Sequence, residues 1–185
     1  PNYPELDRLI ANMFDTMYAA KGVGLAAHQV GLPIKLFIVD TTPYEKDKED
    51  KPFTGIKKVF INSRILEETG DEWPFEEGCL SIPDLRADVE RQPMIKINYL
   101  DATGQPFTET YDGLNARVIQ HEYDHTQGIL FIDHLKPLKK RMLQRRLEFI
   151  RKGQIECDYK IKFHRPKLAI SFAGKYVLKN IFLRH

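Results

Sequence analysis

Two cysteines in 185 residues, Cys79 and Cys157, exclude a disulfide scaffold and fit a reducing compartment more easily than an oxidising one. An excess of charge of one sign is also lacking. The formal net charge is +2, so nothing in the bulk balance demands nucleic acid. No apolar run is long enough to cross a bilayer, no internal repeat is visible, and the opening residues do not read as a signal peptide. Because the chain begins at Pro1, a preceding targeting segment or first strand is left open. What is present is 42% hydrophobic content over a length suited to one domain with a sizeable core.

Residues 6–20 read as an amphipathic helix, with Leu6, Leu9, Ile10, Met13, Phe14 and Met17 at helical spacing. The run GVGLAAHQVG at 22–31 carries three glycines, which permit tight turns and close backbone approach, but it lacks the lysine of a phosphate loop. Residues 35–40 (KLFIVD) read as a short buried strand and 41–53 as a mobile charged loop. Residues 56–61 read as a second strand, 67–77 as an acidic, turn-like stretch, and 85–91 and 94–100 as two more strands. Asp101-Ala102-Thr103-Gly104 is a strong hairpin signal, with 107–111 as the returning strand and 129–132 as a short apolar strand or turn. Residues 137–152 make a last helix with a packing stripe of Leu138, Met142, Leu147 and Ile150. Its other face is basic: Lys139, Lys140, Arg141, Arg145, Arg146, Arg151 and Lys152. Such a run is usually a solvated face; the sharper reading is docking to an anionic surface such as RNA. Short strands and long helices sharing one core indicate an α+β fold.

The stretch that carries chemistry is LNARVIQHEYDHTQG, residues 114–128, with His121-Glu122-Tyr123-Asp124-His125 at its centre. Leu114, Val118, His121 and His125 follow one helical face, Asp112 suits an N-cap and Gly128 a left-handed stop. Residues four apart on a helix stack on one face, so His121 and His125 can offer two imidazole nitrogens to one metal ion. Glu122 then projects beside them as a proton acceptor for an attacking water. Two surface histidines flanking a glutamate would give the same pattern, so a third ligand decides. Three candidates remain open on residue type: Glu148, downstream on a helix as in thermolysin-like proteases; His134, too close to His125 for the metzincin spacing; and Cys79, next to Gly78, whose flexibility would let the sulfur turn toward a metal.

GVGLAAHQ, EGCLS and HEYDH, in this order, resemble the three signature motifs of the peptide deformylases. The resemblance covers roughly residues 6–135. It implies an α+β fold with antiparallel strands around a central metal-binding helix and a C-terminal helix, and one catalytic domain over residues 1–163. It further implies a strand ahead of the first helix, which this chain does not present; residues 164–185 form a tail without counterpart. The implied metal ligands are Cys79, His121 and His125. Glu122 is implied as the acid/base, with Gln29 and Leu80 handling the substrate oxygen. The implied cofactor is one divalent ion, natively Fe2+, with Zn2+, Ni2+ or Co2+ as substitutes.

The implied reaction removes the formyl group from the N-formylmethionine of new polypeptides in a bacterial cytoplasm. Val23, Gly24, Phe75, Leu114 and Val118 would shape the pocket for the first side chain, and Arg86 would hold the peptide backbone. Arg117 stands where the family is often apolar, and faces either solvent or the pocket rim. Glu77 reads as ordering its loop through an ion pair, and Asp124 as a partner of the metal ligands or an exposed residue. Two other functions compete: a thermolysin-like endopeptidase with Glu148 as third ligand, and a ribosome- or RNA-associated module using the basic helix. Neither membrane nor DNA is expected as a partner.

Overall fold

The computed structural model describes residues 3–47, 53–162 and 178–179. Helix α1 (Leu6–Ala19) leads into strand β1 (Gly24–Ala26), a 3-10 turn (Ala27–Val30) and strand β2 (Leu36–Asp40). A second 3-10 turn (Thr42–Asp47) precedes the long strand β3 (Lys57–Thr69). Strands β4 (Trp73–Cys79), β5 (Ile82–Arg91), β6 (Met94–Leu100) and β7 (Pro106–Asp112) follow. Then come helix α2 (Gly113–Gln127), a 3-10 turn (Phe131–His134) and helix α3 (Pro137–Arg151). Two short strands, β8 (Ile161–Lys162) and β9 (Leu178–Lys179), pair in parallel. The expected α+β class holds.

One antiparallel sheet of order β1-β2-β3-β6-β7 forms the frame, and β4 and β5 make a separate hairpin. Strand β2 explains how the frame is packed. All five of its residues are buried, because helices cover both of its faces. Leu36 and Ile38 join Leu9, Met13, Met17 and Leu25 on the α1 side. Phe37 and Val39 join Phe60, Ile97, Ala116 and Ile119 on the α2 side. A third core lies beneath the hairpin, where Leu85, Ala87 and Val89 of β5 meet Phe131, Leu147 and Ile150. There β5 alternates strictly, with Asp84, Arg86, Asp88 and Glu90 turned to solvent.

Helix α2 runs through the middle, buried on most of its surface. Asp112 does occupy its N-cap, although its side chain makes no capping hydrogen bond, and Gly128 ends it at φ 78° in the left-handed region. Asn115 ties the helix to the connection between β2 and β3, accepting from the Thr41 hydroxyl at 2.6 Å and donating to the Thr54 carbonyl at 2.9 Å.

Several sequence expectations are corrected. Residues 67–77 are not mainly turn-like, for most belong to the end of β3 and to β4, and only residues 70–72, with a bend at Gly70 (φ 94°), separate the two strands. Apart from the buried Glu77, the acidic side chains of this stretch are exposed, and Glu67 faces Lys96 across strands. The segment expected as a loop at 41–53 begins with the 3-10 turn; residues 48–52 of that expectation lie outside the described residues. Of the two expectations for 129–132, a strand or a turn, the turn is what forms, as the start of the 3-10 turn Phe131–His134. On α3 the packing stripe is Leu143, Leu147 and Ile150, whereas Leu138 and Met142 are 74% and 76% exposed. Both sets recur at helical spacing, and only the position of the hairpin decides which one is covered. The tail at 164–185 lies outside the described residues except for the backbone of Leu178–Lys179.

Candidate active site

His121 and His125 lie one turn apart on α2, with ring centroids 5.0 Å apart and the rings nearly perpendicular. The hairpin brings the third group. Cys79 ends β4 at a register shift between Gly78 and Cys79, and Leu80 and Ser81 form the two-residue loop before Ile82. A bulge of this kind re-aims a side chain. It, more than the freedom of Gly78, turns the sulfur inward, since a Cβ at Gly78 would meet only ordinary contacts with Arg86. The Cys79 Sγ lies 3.3 Å from His125 Nε2, and one donor atom from each of Cys79, His121 and His125 falls within 4.8 Å of the others. Two donors on one tetrahedral ion sit about 3.5 Å apart, given bonds of about 2.0–2.3 Å. A thiolate and two imidazoles also suit zinc, iron and their neighbours chemically.

Glu77 holds this group in place. Its Oε2 lies 2.9 Å from His121 Nδ1, which leaves His121 Nε2 for a metal. Its Oε1 accepts from Arg91 Nε at 2.8 Å and from Arg117 Nη1 at 3.1 Å. Burial alone would raise the Glu77 pKa; hydrogen bonds from His121 and Arg91 outweigh it and hold the carboxyl well below the usual range. Glu77 thus does more than order its loop. Arg117 does not face solvent. It is 2% exposed, donates also to the carbonyls of Val89 and Trp73, and stacks 4.6 Å from the Trp73 ring. Asp124 joins the same system, accepting from Arg91 Nη1 at 2.7 Å and pairing with His134.

The two histidines differ in charge preference. Burial, then the nearby His121, holds His125 well below its ordinary pKa and therefore neutral. For His121 burial works against protonation, but Cys79 and Glu77 raise it above its ordinary value, and a cation at the donor set competes for that proton.

Glu122 is 4% exposed, and its Oε2 has no hydrogen-bond partner in the described structure. Burial first, then the charges of Glu77 and Asp124, push its pKa up to about 7, against the pull of His121. Its carboxylate is seated on Gly24: a Cβ there would stand 2.4 Å from Glu122 Oε1. That close approach explains why the chain needs glycine at this point. Gln29 is buried and fixed in orientation. Its Oε1 accepts from the Ala26 N–H at 2.8 Å, so Nε2 points the other way, 3.1 Å from Ser81 Oγ and 3.7 Å from Cys79 Sγ.

Gln29, Cys79, Leu80, His121 and Glu122 line one cavity of about 390 Å³, with His125 set behind its wall. The expected pocket residues Val23, Gly24, Phe75, Leu114, Val118 and Arg86 line it too. Arg86 stands at the rim, 68% exposed and 3.8 Å from Glu76. Tyr44, Ile82, Leu85 and Tyr159 also line it, and sequence reasoning missed them. For Ile82 and Leu85 proximity to the CLS turn was a usable signal; Tyr44 and Tyr159 have none. Glu148 is not in this group. It lies on α3, bonded to Arg151 and Lys152 on the surface, so the endopeptidase arrangement is not formed.

A two-histidine helix with an adjacent buried carboxylate, a thiol from a hairpin and an amide donor facing one cavity define a metal-dependent hydrolase of amide bonds. A model of the polypeptide deformylase family matches residues 2–141. The peptide deformylase of Christiangramia forsetii is 55% identical over 173 residues, which cover 91% of this chain and 88% of the relative. That of Flavobacterium johnsoniae is 52% identical over 172 residues, 90% of this chain and 88% of the relative. Among solved structures, Arabidopsis thaliana peptide deformylase 1B in complex with an inhibitor superposes with a TM-score of 0.71 at 36% identity, covering 80% of this chain and 78% of that one. The Legionella pneumophila peptide deformylase gives 0.68 at 41% identity, covering 82% and 84%. The chain belongs to the polypeptide deformylase family, metal-dependent enzymes whose known function is to remove the formyl group of N-formylmethionine.

Proposed function

We propose that this chain hydrolyses the formyl amide of nascent N-formylmethionyl peptides at the Cys79/His121/His125 site, releasing formate and a free amine. The observation that carries the assignment of roles is the buried, unpartnered Oε2 of Glu122 beside three converging metal donors, two of which, Cys79 and His121, line the same cavity. A divalent ion held by Cys79, His121 and His125 supplies Lewis acidity and brings the pKa of a water toward neutrality. Glu122 accepts the proton of the attacking water and delivers it to the departing nitrogen, a role that a pKa near neutrality suits. The Gln29 Nε2 and the Leu80 backbone N–H donate to the formyl oxygen as charge develops on it, each such donor being worth about 3–4 kcal/mol of barrier. Because Ala26 fixes the Gln29 amide beforehand, that donor needs no reorientation during the reaction.

Val23, Phe75, Leu114 and Val118 receive the methionine side chain, with Gly24 beneath it. The charged tip of Arg117 is occupied by Glu77 and two carbonyls, so it presents its stem to the cavity. Arg86 contacts the peptide backbone at the rim. The native ion is Fe2+, and Zn2+, Ni2+ or Co2+ substitute for it. A thiolate ligand open to solvent makes the enzyme sensitive to oxygen. The setting is the bacterial cytoplasm, which a reduced Cys79 and a substrate made on ribosomes both suit. Residues 1–163 act as one catalytic domain. A ribosome contact through α3 is a further element of this reading, supported by Arg141 and Arg145 beside the exposed Leu138 and Met142. Lys139, Lys140 and Arg146 are less available, being paired with Asp88, Asp133 and Asp84.

The test is formate release from formyl-Met-Ala-Ser by the metal-loaded protein. Turnover is expected for the native chain, with a loss of about 10²–10⁴-fold in Glu122→Ala. A native rate no higher than that control would sink the assignment. Cys79→Ala should release the metal and Glu148→Ala should retain it; the reverse would restore the endopeptidase reading. Ribosome co-sedimentation that survives charge reversal of Arg141 and Arg145 would remove the α3 contact.

A further inference from the structure

We propose that Tyr159, on the segment after α3, is a positioning residue for catalysis: its hydroxyl holds the Leu80 carbonyl and so sets the turn that presents the Leu80 backbone N–H. This rests on the deformylase reading of the site. Leu80 and Ser81 are the whole loop between β4 and β5, so few backbone torsions decide where the Leu80 N–H points. The carbonyl and the N–H of one residue hinge on the same Cα; pinning the first restricts the second.

The Tyr159 hydroxyl donates to the Leu80 carbonyl at 2.8 Å, across 79 residues of sequence. The rest of the loop is held from the other side. Leu80 packs so tightly on Gly22 that a Cβ there would come within 2.7 Å of its Cδ1. Tyr159 is itself anchored. It and Ile161 pack against the α1 core, and its own carbonyl accepts from the Cys157 thiol at 3.1 Å. Burial, then the nearby Cys157 and Cys79, raises the Tyr159 pKa, so its hydroxyl remains a donor at every working pH. Tyr159 also stands in the wall of the catalytic cavity. It lies beyond the residues matched by the family model, so a segment outside that region reaches back to tune the turn.

The test is Tyr159→Phe in the full, zinc-loaded chain, assayed with formyl-Met-Ala-Ser beside the native protein. Losing one neutral hydrogen bond should lower kcat about three- to tenfold with KM unchanged. The Leu80 carbonyl carbon resonance should move upfield in the same sample, while zinc content and Tm stay close to native. An unchanged kcat, with the native protein active, overturns the inference and leaves the deformylase reading standing. A rise in KM alone makes Tyr159 a substrate contact and also overturns it, as does a loss of zinc in step with activity. If the native protein releases no formate, the deformylase reading fails first. The carbonyl resonance then decides whether Tyr159 holds the turn, and an unmoved resonance overturns the inference.

Discussion

Helices α2 and α3 are each 15 residues long, yet they spend their polar residues in opposite ways. On α2 the polar side chains Asn115, Arg117, Gln120, Glu122 and His125 are buried, and nearly every one is committed to a named partner or turned into the cavity. On α3 the charges outnumber the apolar groups, but they lie at the surface, where ion pairs such as Lys139–Asp88 and Arg146–Asp84 are worth about 0–1 kcal/mol each. Charge density therefore says little about where the chemistry is. Burying a polar group is costly, and a helix that does so repeatedly is constrained by function.

The sharpest way to break this contrast is at the carboxylate beneath α2. Glu77→Gln takes from buried Arg117 its carboxylate partner and from buried Arg91 one of two, and should cost about 3–5 kcal/mol of stability by chemical denaturation. It should also weaken metal binding about 10–100-fold by chelator competition, because His121 loses its orienting partner. A stability loss below 1 kcal/mol would mean that the buried network is ornamental. Next is Gly24→Ala, whose new methyl displaces the Glu122 carboxylate. A shift on the order of 1 Å should lower kcat about 10²-fold with metal content intact. Unaltered kcat would show that the carboxylate has room to spare. On α3, Leu147→Ala should cost about 2–5 kcal/mol by removing core packing. Leu138→Ser or Met142→Ser should change Tm by no more than about 0.5 kcal/mol implies. Equal costs at Leu147 and Leu138 would erase the distinction between the covered and the exposed face.

The parts of the site that depend on local spacing were readable in advance. The histidines are four apart on a helix that Gly128 stops, and the Asp101–Gly104 hairpin formed as its residues demand. Cys79 was readable only through its motif, since residue type alone left Glu148 and His134 open. Its selection is tertiary, made by a bulge at the end of β4. The acidic stretch at 67–77 misled because charge suggests turns, whereas here most of it decorates exposed positions of paired strands and Glu77 alone is turned inward. The α3 stripe misled because two sets of apolar residues share one period. Glu77's contact with His121 spans 44 residues, and Tyr159's with Leu80 spans 79; no short-range pattern encodes either.

One carboxylate, that of Glu77, serves Arg91, Arg117 and His121 together. Replacement of Glu77 takes a partner from all three, and replacement of any of the three removes one of the carboxylate's partners, so their single-substitution effects should not add. For sequence drift this makes the quartet a locked combination: a viable lineage exchanges these positions in concert, or it leaves them alone.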